Sequence, residues 1–266
     1  MLKLPAMDSS DRKRKAINDF FVPITKRAAV QGPLKPHELS PVTGMDKLIA
    51  PCVIQNKPVP GLTVHQDFVS PSEEENILAF LNDPSKCKWR TDLSRRTMHF
   101  GGTYCLMANK AENQNAKPQI LQAPSMPEEL DWLIQRMVDT RVFSNDERPQ
   151  YCIVNEYTGN LGISAHTENF QFGEPVVGLS LLSPCPIRFH ELTKPFDGSV
   201  RSGKAGKAEK TGRKEDVQMP DRSLLVMRGE SRWKWQHEIV RCAKGRDAHW
   251  KRVSLTFRYK PDGQKA

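Results

Sequence analysis

The sequence predicts a mainly-β domain with flanking helices, and three observations carry that expectation. Residues 252–258 alternate strictly, with Val253, Leu255 and Phe257 on one side and Arg252, Ser254, Thr256 and Arg258 on the other. That is the period-2 pattern of a strand whose apolar side faces a core. Short apolar runs at 175–182 and 223–227 have the length of buried strands rather than of helices. Helix-start signals are few: Ser70-Pro71-Ser72-Glu73 and Ser125-Met126-Pro127-Glu128 each read as a capping box.

Residues 1–45 are rich in Pro and charge and lack an alternating apolar pattern, so a disordered tail is expected there. Arg12-Lys13-Arg14-Lys15, followed by Lys26-Arg27, is a basic cluster that suits nuclear localisation or phosphate contact; a plain solvated tail is the alternative. Ile17, Phe20 and Phe21 fall on one side of a short helical turn. An exposed pair of adjacent Phe residues calls for a partner pocket. The I-x-x-F-F spacing resembles the PIP box that docks on the PCNA sliding clamp, with Arg14 where that motif prefers Gln.

The folded part is expected over residues 46–262. Leu62 to Phe68 reads as a strand. The helix after Ser70 turns Ile77, Leu78 and Leu81 inward and ends near Asp83-Pro84. Gly101-Gly102 marks a turn or hairpin after Arg95, Arg96, Met98 and His99, with Tyr104 just beyond. Residues 108–124 read as loop. The helix after Ser125 places Leu130, Leu133 and Met137 on one face with Trp132 at its edge. Tyr151 to Tyr157 is a strand, and Gly159 and Gly162 bend the chain toward His166. Cys185 to His190 is a further strand, with His190 as a rim or hydrogen-bonded histidine. Residues 194–216 turn into Gly, Ser, Lys and Arg, and read as a mobile basic insertion that tracks a nucleic-acid backbone or simply solubilises the surface. In Arg232-Trp233-Lys234-Trp235 one ring is expected in the core behind His237, the other on a base or lining a pocket.

A chain of 266 residues suits one sizeable domain plus a tail. A net charge of +9 and a pI near 9.3 favour a polyanionic partner such as DNA or RNA. Six cysteines without a C-x-x-C pair read as reduced thiols of an intracellular protein. No apolar run approaches the length of a membrane span, which argues against a membrane partner. The expected compartment is the nucleus, with the cytoplasm beside it, and the expected state is a monomer.

The chemistry concentrates between Asn155 and Arg258. His166 and Glu168 are two apart, so on an extended strand they share a face. With His237 arriving from elsewhere they form the two-histidine, one-carboxylate set of a non-haem iron(II) site. Taken alone, H-x-E is a common surface pair, and the set also suits a zinc hydrolase. Arg252 and Arg258, six apart on one side of a strand, suit a dicarboxylic acid, since Arg grips carboxylates bidentately; an ordinary basic edge strand is the alternative.

Asn155-x-Tyr157, His166-x-Glu168, Gly229-Glu-Ser-Arg232-x-x-Trp235-x-His237 and Arg252-x-x-Leu255-Thr256-Phe257-Arg258 occur in that order. Together they resemble the AlkB family of iron(II)/2-oxoglutarate dioxygenases over about residues 60 to 260. The resemblance implies a double-stranded β-helix (jelly roll) and iron on His166, Glu168 and His237. It implies 2-oxoglutarate near Asn155, Tyr157, Arg252 and Arg258, with oxygen as the co-reactant. It also implies a lid in which Arg95 and Arg96 touch phosphate while Met98, His99 or Tyr104 touch the base, with Phe170 and Trp233 near the substrate. The family usually has Asp where Glu168 stands. Its repair members often carry a second carboxylate at the position of Phe170. The implied activity is oxidative dealkylation of nucleic-acid bases in DNA repair. The competing readings are an RNA-directed dioxygenase (a tRNA hydroxylase or RNA demethylase) and a non-catalytic nucleic-acid or clamp-binding module.

Overall fold

In a computed structural model the described residues are 53–55, 58–91, 93–104, 120–121, 123–196, 208–242 and 246–261. They form β1 (Val53–Gln55), β2 (Leu62–His65), α1 (Pro71–Asn82), β3 (Arg96–Phe100), β4 (Thr103–Tyr104), β5 (Ile120–Leu121), α2 (Asp131–Asp139) and β6 (Tyr151–Thr158). Then follow β7 (Ile163–His166), β8 (Val176–Leu182), β9 (Cys185–Leu192), β10 (Lys210–Met219), β11 (Ser223–Met227), α3 (Glu230–Trp233), β12 (Trp235–Ile239) and β13 (Lys251–Arg258). The segments carrying Arg12–Lys15, Ile17, Phe20 and Phe21 lie outside the described residues.

Seven strands in the order β1-β2-β11-β8-β13-β6-β3 make one sheet, and four in the order β10-β9-β12-β7 make a second. All pairings within them are antiparallel. Two packed antiparallel sheets with this crossing order are a double-stranded β-helix, as expected. Val64, Tyr157, Val176 and Leu225 of the large sheet pack with Phe189, Met219, Trp235 and Ile239 of the small one, filling part of the space between the sheets. The opposite face of the large sheet packs Val154, Leu179, Leu255 and Phe257 against Ile77 and Leu81 of α1 and Leu133 and Met137 of α2.

The β13 alternation therefore resolves into two buried faces. Val253, Leu255 and Phe257 point to the helices, while Arg252 (4 % exposed) and Arg258 (7 %) point between the sheets. A strand with buried groups on both sides sits in the middle of its sheet, and β13 lies between β8 and β6.

The first helix is built as its sequence requires. Ser70 Oγ accepts from the Glu73 amide at 3.2 Å, and Glu73 Oε2 accepts from the Ser70 amide at 2.8 Å. Arg136 of α2 donates to both Glu73 oxygens, at 2.8 and 2.6 Å, which ties the helices together. The second expected capping box does not form. Pro127 is extended (ψ 143°), so no cap reaches across from Ser125, and α2 starts instead from a 3-10 turn at Glu128–Leu130. A capping box does form at Ser144 and Glu147, over a short 3-10 turn.

One further expectation is corrected. The stretch read as an insertion over 194–216 is, from Lys210 on, part of a ten-residue edge strand paired with β9; residues 197–207 lie outside the described residues. Its charges are held along the pairing, with Arg188 gripping Asp216 at 2.7 Å. Charged edges of this kind discourage further strand addition. Ahead of Leu62, β1 pairs with β2.

Gly162 lies at the bend before β7. A Cβ there would stand 2.2 Å from the Ile239 carbonyl oxygen at the end of β12. The atom it would meet belongs to backbone and cannot rotate away, so Gly162→Ala is expected to push β7 and β12 apart. We expect a loss of about 1–3 kcal/mol of stability, read by denaturant unfolding, together with weaker metal binding.

Candidate active site

His166 and His237 face each other across the β7–β12 pairing, with ring centroids 4.4 Å apart. Glu168 follows β7 and returns its carboxylate to them: Oε1 is 3.5 Å from His237 Nε2 and 4.0 Å from His166 Nε2. One ligand atom from each of the three lies within 4.8 Å of the others. His166 Nδ1 is 2.8 Å from the Ser164 carbonyl oxygen, which only accepts, so Nδ1 carries the proton and Nε2 presents a lone pair. The His166 side chain keeps 36 % of its surface exposed. Even so, burial on its other side and the neighbouring His237 push its imidazole down to about 4. Burial alone would raise the Glu168 carboxyl, but Arg258 and the hydrogen bond from His237 hold it well below the usual carboxylate range. Neutral imidazole and ionised carboxylate are the forms that bind a metal. The donor set fits iron(II).

The two arginines of β13 have separate surroundings. Arg258 Nε donates to Glu168 Oε2 at 2.7 Å, leaving Oε1 toward the histidines. Arg252 Nε donates to Ser180 Oγ at 2.9 Å and its guanidinium lies 5.7 Å from the centre of the Tyr157 ring. Among the described residues no carboxylate pairs with Arg252, although it is nearly inaccessible. A buried unpaired guanidinium is costly, and burial lowers its affinity for its proton. A Cβ placed on Gly178, on the same inward face, would meet no atom within 4 Å. The inward face of the large sheet thus offers an anion-seeking group and room beside it.

Asn155 and Tyr157 share that face, paired with Ser254 and Arg252 respectively. Arg95 is drawn in with them: its Nε donates to Asn155 Oδ1 at 2.7 Å rather than standing on an outer lid. Arg96 is corrected. It points to the opposite face, grips both Glu156 oxygens at 2.8 and 2.7 Å and covers the Trp89 ring at 4.6 Å, so phosphate contact is not its role here. Met98 is corrected too, being 3 % exposed and part of the core beneath the helices. His99 is half-buried on β3. The side chain of Tyr104 lies outside the described residues. Phe170 is half-exposed just past Glu168. Trp233 donates from Nε1 to Glu174 Oε2 at 3.1 Å and has the Arg232 guanidinium over its ring at 4.0 Å, while Trp235 is the core ring. His190 is hydrogen-bonded to Glu238 at 2.8 Å.

Sequence reasoning gave Arg232 no task. It is 1 % exposed and donates to the carbonyl oxygens of Glu168 (3.2 Å), Asn169 (2.6 Å) and Phe172 (2.9 Å). It therefore holds the loop that presents the Glu168 carboxylate. Glu174 answers from that loop by accepting from the Gly229 amide at 2.6 Å. Little in the sequence signals this, since Arg228, Glu230 and Lys234 surround it with other charged residues.

The model of the 2OG-Fe(II) oxygenase superfamily matches residues 61–258. The chain belongs to that superfamily. Within it the chain is AlkB-like. It is 29 % identical over 191 residues to "Alkylated DNA repair protein ALKBH8 homolog" of Arabidopsis thaliana, a match covering 68 % of this chain and 51 % of that protein. It is 26 % identical over 198 residues to "tRNA (carboxymethyluridine(34)-5-O)-methyltransferase alkbh8" of Xenopus tropicalis, covering 74 % and 28 %. This AlkB-like chain thus spans about half of the first relative and just over a quarter of the second. The solved structure of OsALKBH1 overlays on 75 % of it, and on 98 % of its own chain, with a TM-score of 0.47 and 19 % identity. The cofactors of such an oxygenase are iron(II), 2-oxoglutarate and oxygen.

Proposed function

We propose that this AlkB-like oxygenase oxidises an alkyl group on a nucleic-acid base, with iron(II), 2-oxoglutarate and oxygen. The observation that carries the reading is the pairing of a His166–Glu168–His237 cluster with a buried, carboxylate-free Arg252 on the facing sheet. In this reading the imidazoles and Glu168 Oε1 hold the metal, and Arg258 fixes the other Glu168 oxygen so that it cannot swing away. Arg252 receives the distal carboxylate of 2-oxoglutarate, with Asn155 and Tyr157 adding hydrogen bonds. Bound together, the cofactors supply an oxidation of a C–H bond coupled to conversion of 2-oxoglutarate to succinate. The chain supplies placement and a dry cleft, with Tyr157 2 % exposed. A base reaches such a cleft only outside the helical stack, which favours damaged or single-stranded sites.

The polymer has two readings. DNA repair is supported by the printed name of the Arabidopsis relative and by the PIP-box-like Ile17, Phe20 and Phe21 in a basic tail suited to the nucleus. RNA is supported by the tRNA-directed name of the Xenopus relative. The test is oxygen-dependent succinate release from 2-oxoglutarate after anaerobic loading with iron(II), in the presence of N-methylated DNA or of tRNA. Stimulation by methylated DNA with loss of the methyl group establishes repair. Stimulation by tRNA alone moves the assignment to RNA. Release at background with both would overturn the reading.

A further inference from the structure

The charges around the cleft do not balance. Arg95, Arg252 and Arg258 are held there by Asn155, Ser180 and Glu168, so three guanidiniums meet one carboxylate. The Arg252 guanidinium lies 5.7 Å from the centre of the Tyr157 ring, and Arg95 reaches Asn155, two residues before Tyr157 on the same inward face of β6. The next carboxylates in the fold are engaged elsewhere. Glu156 is gripped by Arg96 and by Lys251 at 2.8 Å. Glu174 accepts from Gly229 and Trp233. Past Glu168 the chain runs through Asn169, Phe170 and Gln171, all uncharged, with the Asn169 and Gln171 amides bonded to each other. Iron(II) and 2-oxoglutarate carry equal and opposite charges, so loading both leaves the positive surplus in place.

Many N-alkylated bases are cations, because a ring nitrogen that carried only a lone pair has no proton to give up when it takes an alkyl group, whereas an N–H nitrogen exchanges its proton for the alkyl group and stays neutral. A cationic base would enter a positive, poorly solvated cleft in which, among the described residues, no carboxylate is free to meet it. Like charges brought together in protein interior repel much more strongly than in water. A neutral alkylated base meets no such barrier, and the guanidiniums can donate to its carbonyl oxygens.

We propose that this cleft selects alkylated bases that carry no positive charge, and that Arg95, which touches neither the metal ligands nor the core, sets that preference. The proposal rests on the oxygenase reading above and names its substrate class.

The test uses two oligonucleotides of one sequence, bearing either 3-methylcytosine, a cation at neutral pH, or 3-methylthymine, its neutral counterpart of nearly the same shape. Binding to the full chain loaded with iron(II) and 2-oxoglutarate is measured without oxygen by fluorescence anisotropy, each against the unmodified oligonucleotide. The neutral base is expected to bind about tenfold or more tightly than the cationic one, the effect of one such charge at close quarters. In Arg95→Glu that ratio should collapse or invert. In Phe170→Asp, which adds a carboxylate beside Glu168, the cationic base should gain. Because the readout is a ratio, a general weakening in either variant cancels. Equal or tighter binding of the cationic base, no gain for either base over the unmodified strand, or a ratio unmoved by Arg95→Glu overturns the proposal. The oxygenase reading is checked separately, by succinate release in the absence of any oligonucleotide, so its failure is not confused with loss of base selection.

Discussion

Replacing His237 by alanine is expected to abolish iron-dependent succinate release while leaving a folded protein. The ring is one of the three groups that converge within 4.8 Å, and among the described residues no other donor of this kind joins them. Losses in the surroundings of a metal already cost ten- to a hundredfold, so removal of a ligand should exceed about a hundredfold in metal affinity. The stability cost should stay near 1–3 kcal/mol. His237 Nδ1 is buried without a partner, and when the ring is removed Glu168 is still held by Arg258 through its other oxygen. Glu168 would be a poorer choice. Its loss leaves the Arg258 guanidinium buried without a carboxylate partner, and breaking such a pair costs about 3–5 kcal/mol in its own right. Bound-iron content, turnover and thermal melting of His237→Ala distinguish the cases. Retention of iron-dependent turnover would remove the histidine from the ligand set.

Arg252→Met should move two quantities in opposite directions. Affinity for 2-oxoglutarate should fall by the 2–5 kcal/mol typical of losing one partner of a buried charge pair, thirtyfold to several thousandfold. Stability of the cofactor-free protein should hold or rise. Folding now buries a guanidinium against a single hydroxyl, and methionine fills similar space without that desolvation. Calorimetric titration with 2-oxoglutarate and a denaturant curve of the free protein measure the two. Unchanged affinity would assign Arg252 to structure. A marked loss of stability would mean that the guanidinium is better satisfied than its contacts imply.

The sequence was legible where a side chain's neighbours along the chain decide its fate. The alternation of β13, the capping box at Ser70 and the apolar runs of β8 and β11 all reappear as written. It was less legible where a partner comes from far away. Arg95 and Arg96 are adjacent and chemically alike, yet one meets Asn155 and the other Glu156, because consecutive residues on a strand point to opposite faces. Period alone could not say which face β3 would bury, and Met98 followed Arg96 to the helix side. β10 was hidden because its first half carries almost no buried residue; only Val217 and Met219 show the alternation. The Ser125 box failed through Pro127, which is favourable at a helix start but here stays extended. Among the site residues, Arg252 and Arg258 are equivalent in the sequence and become distinct only when β8 supplies Ser180 and the loop after β7 supplies Glu168.

The two-faced burial of β13 has a thermodynamic corollary. The strand that carries both arginines is also an interior strand of the main sheet, so it opens only when the domain does. A ligand held by those arginines binds the native state and not the unfolded chain. Its binding energy therefore becomes resistance to unfolding, about 2.7 kcal/mol when its concentration is a hundred times its dissociation constant. The cellular level of a small dicarboxylic acid would in that way set the lifetime of the protein as well as its rate.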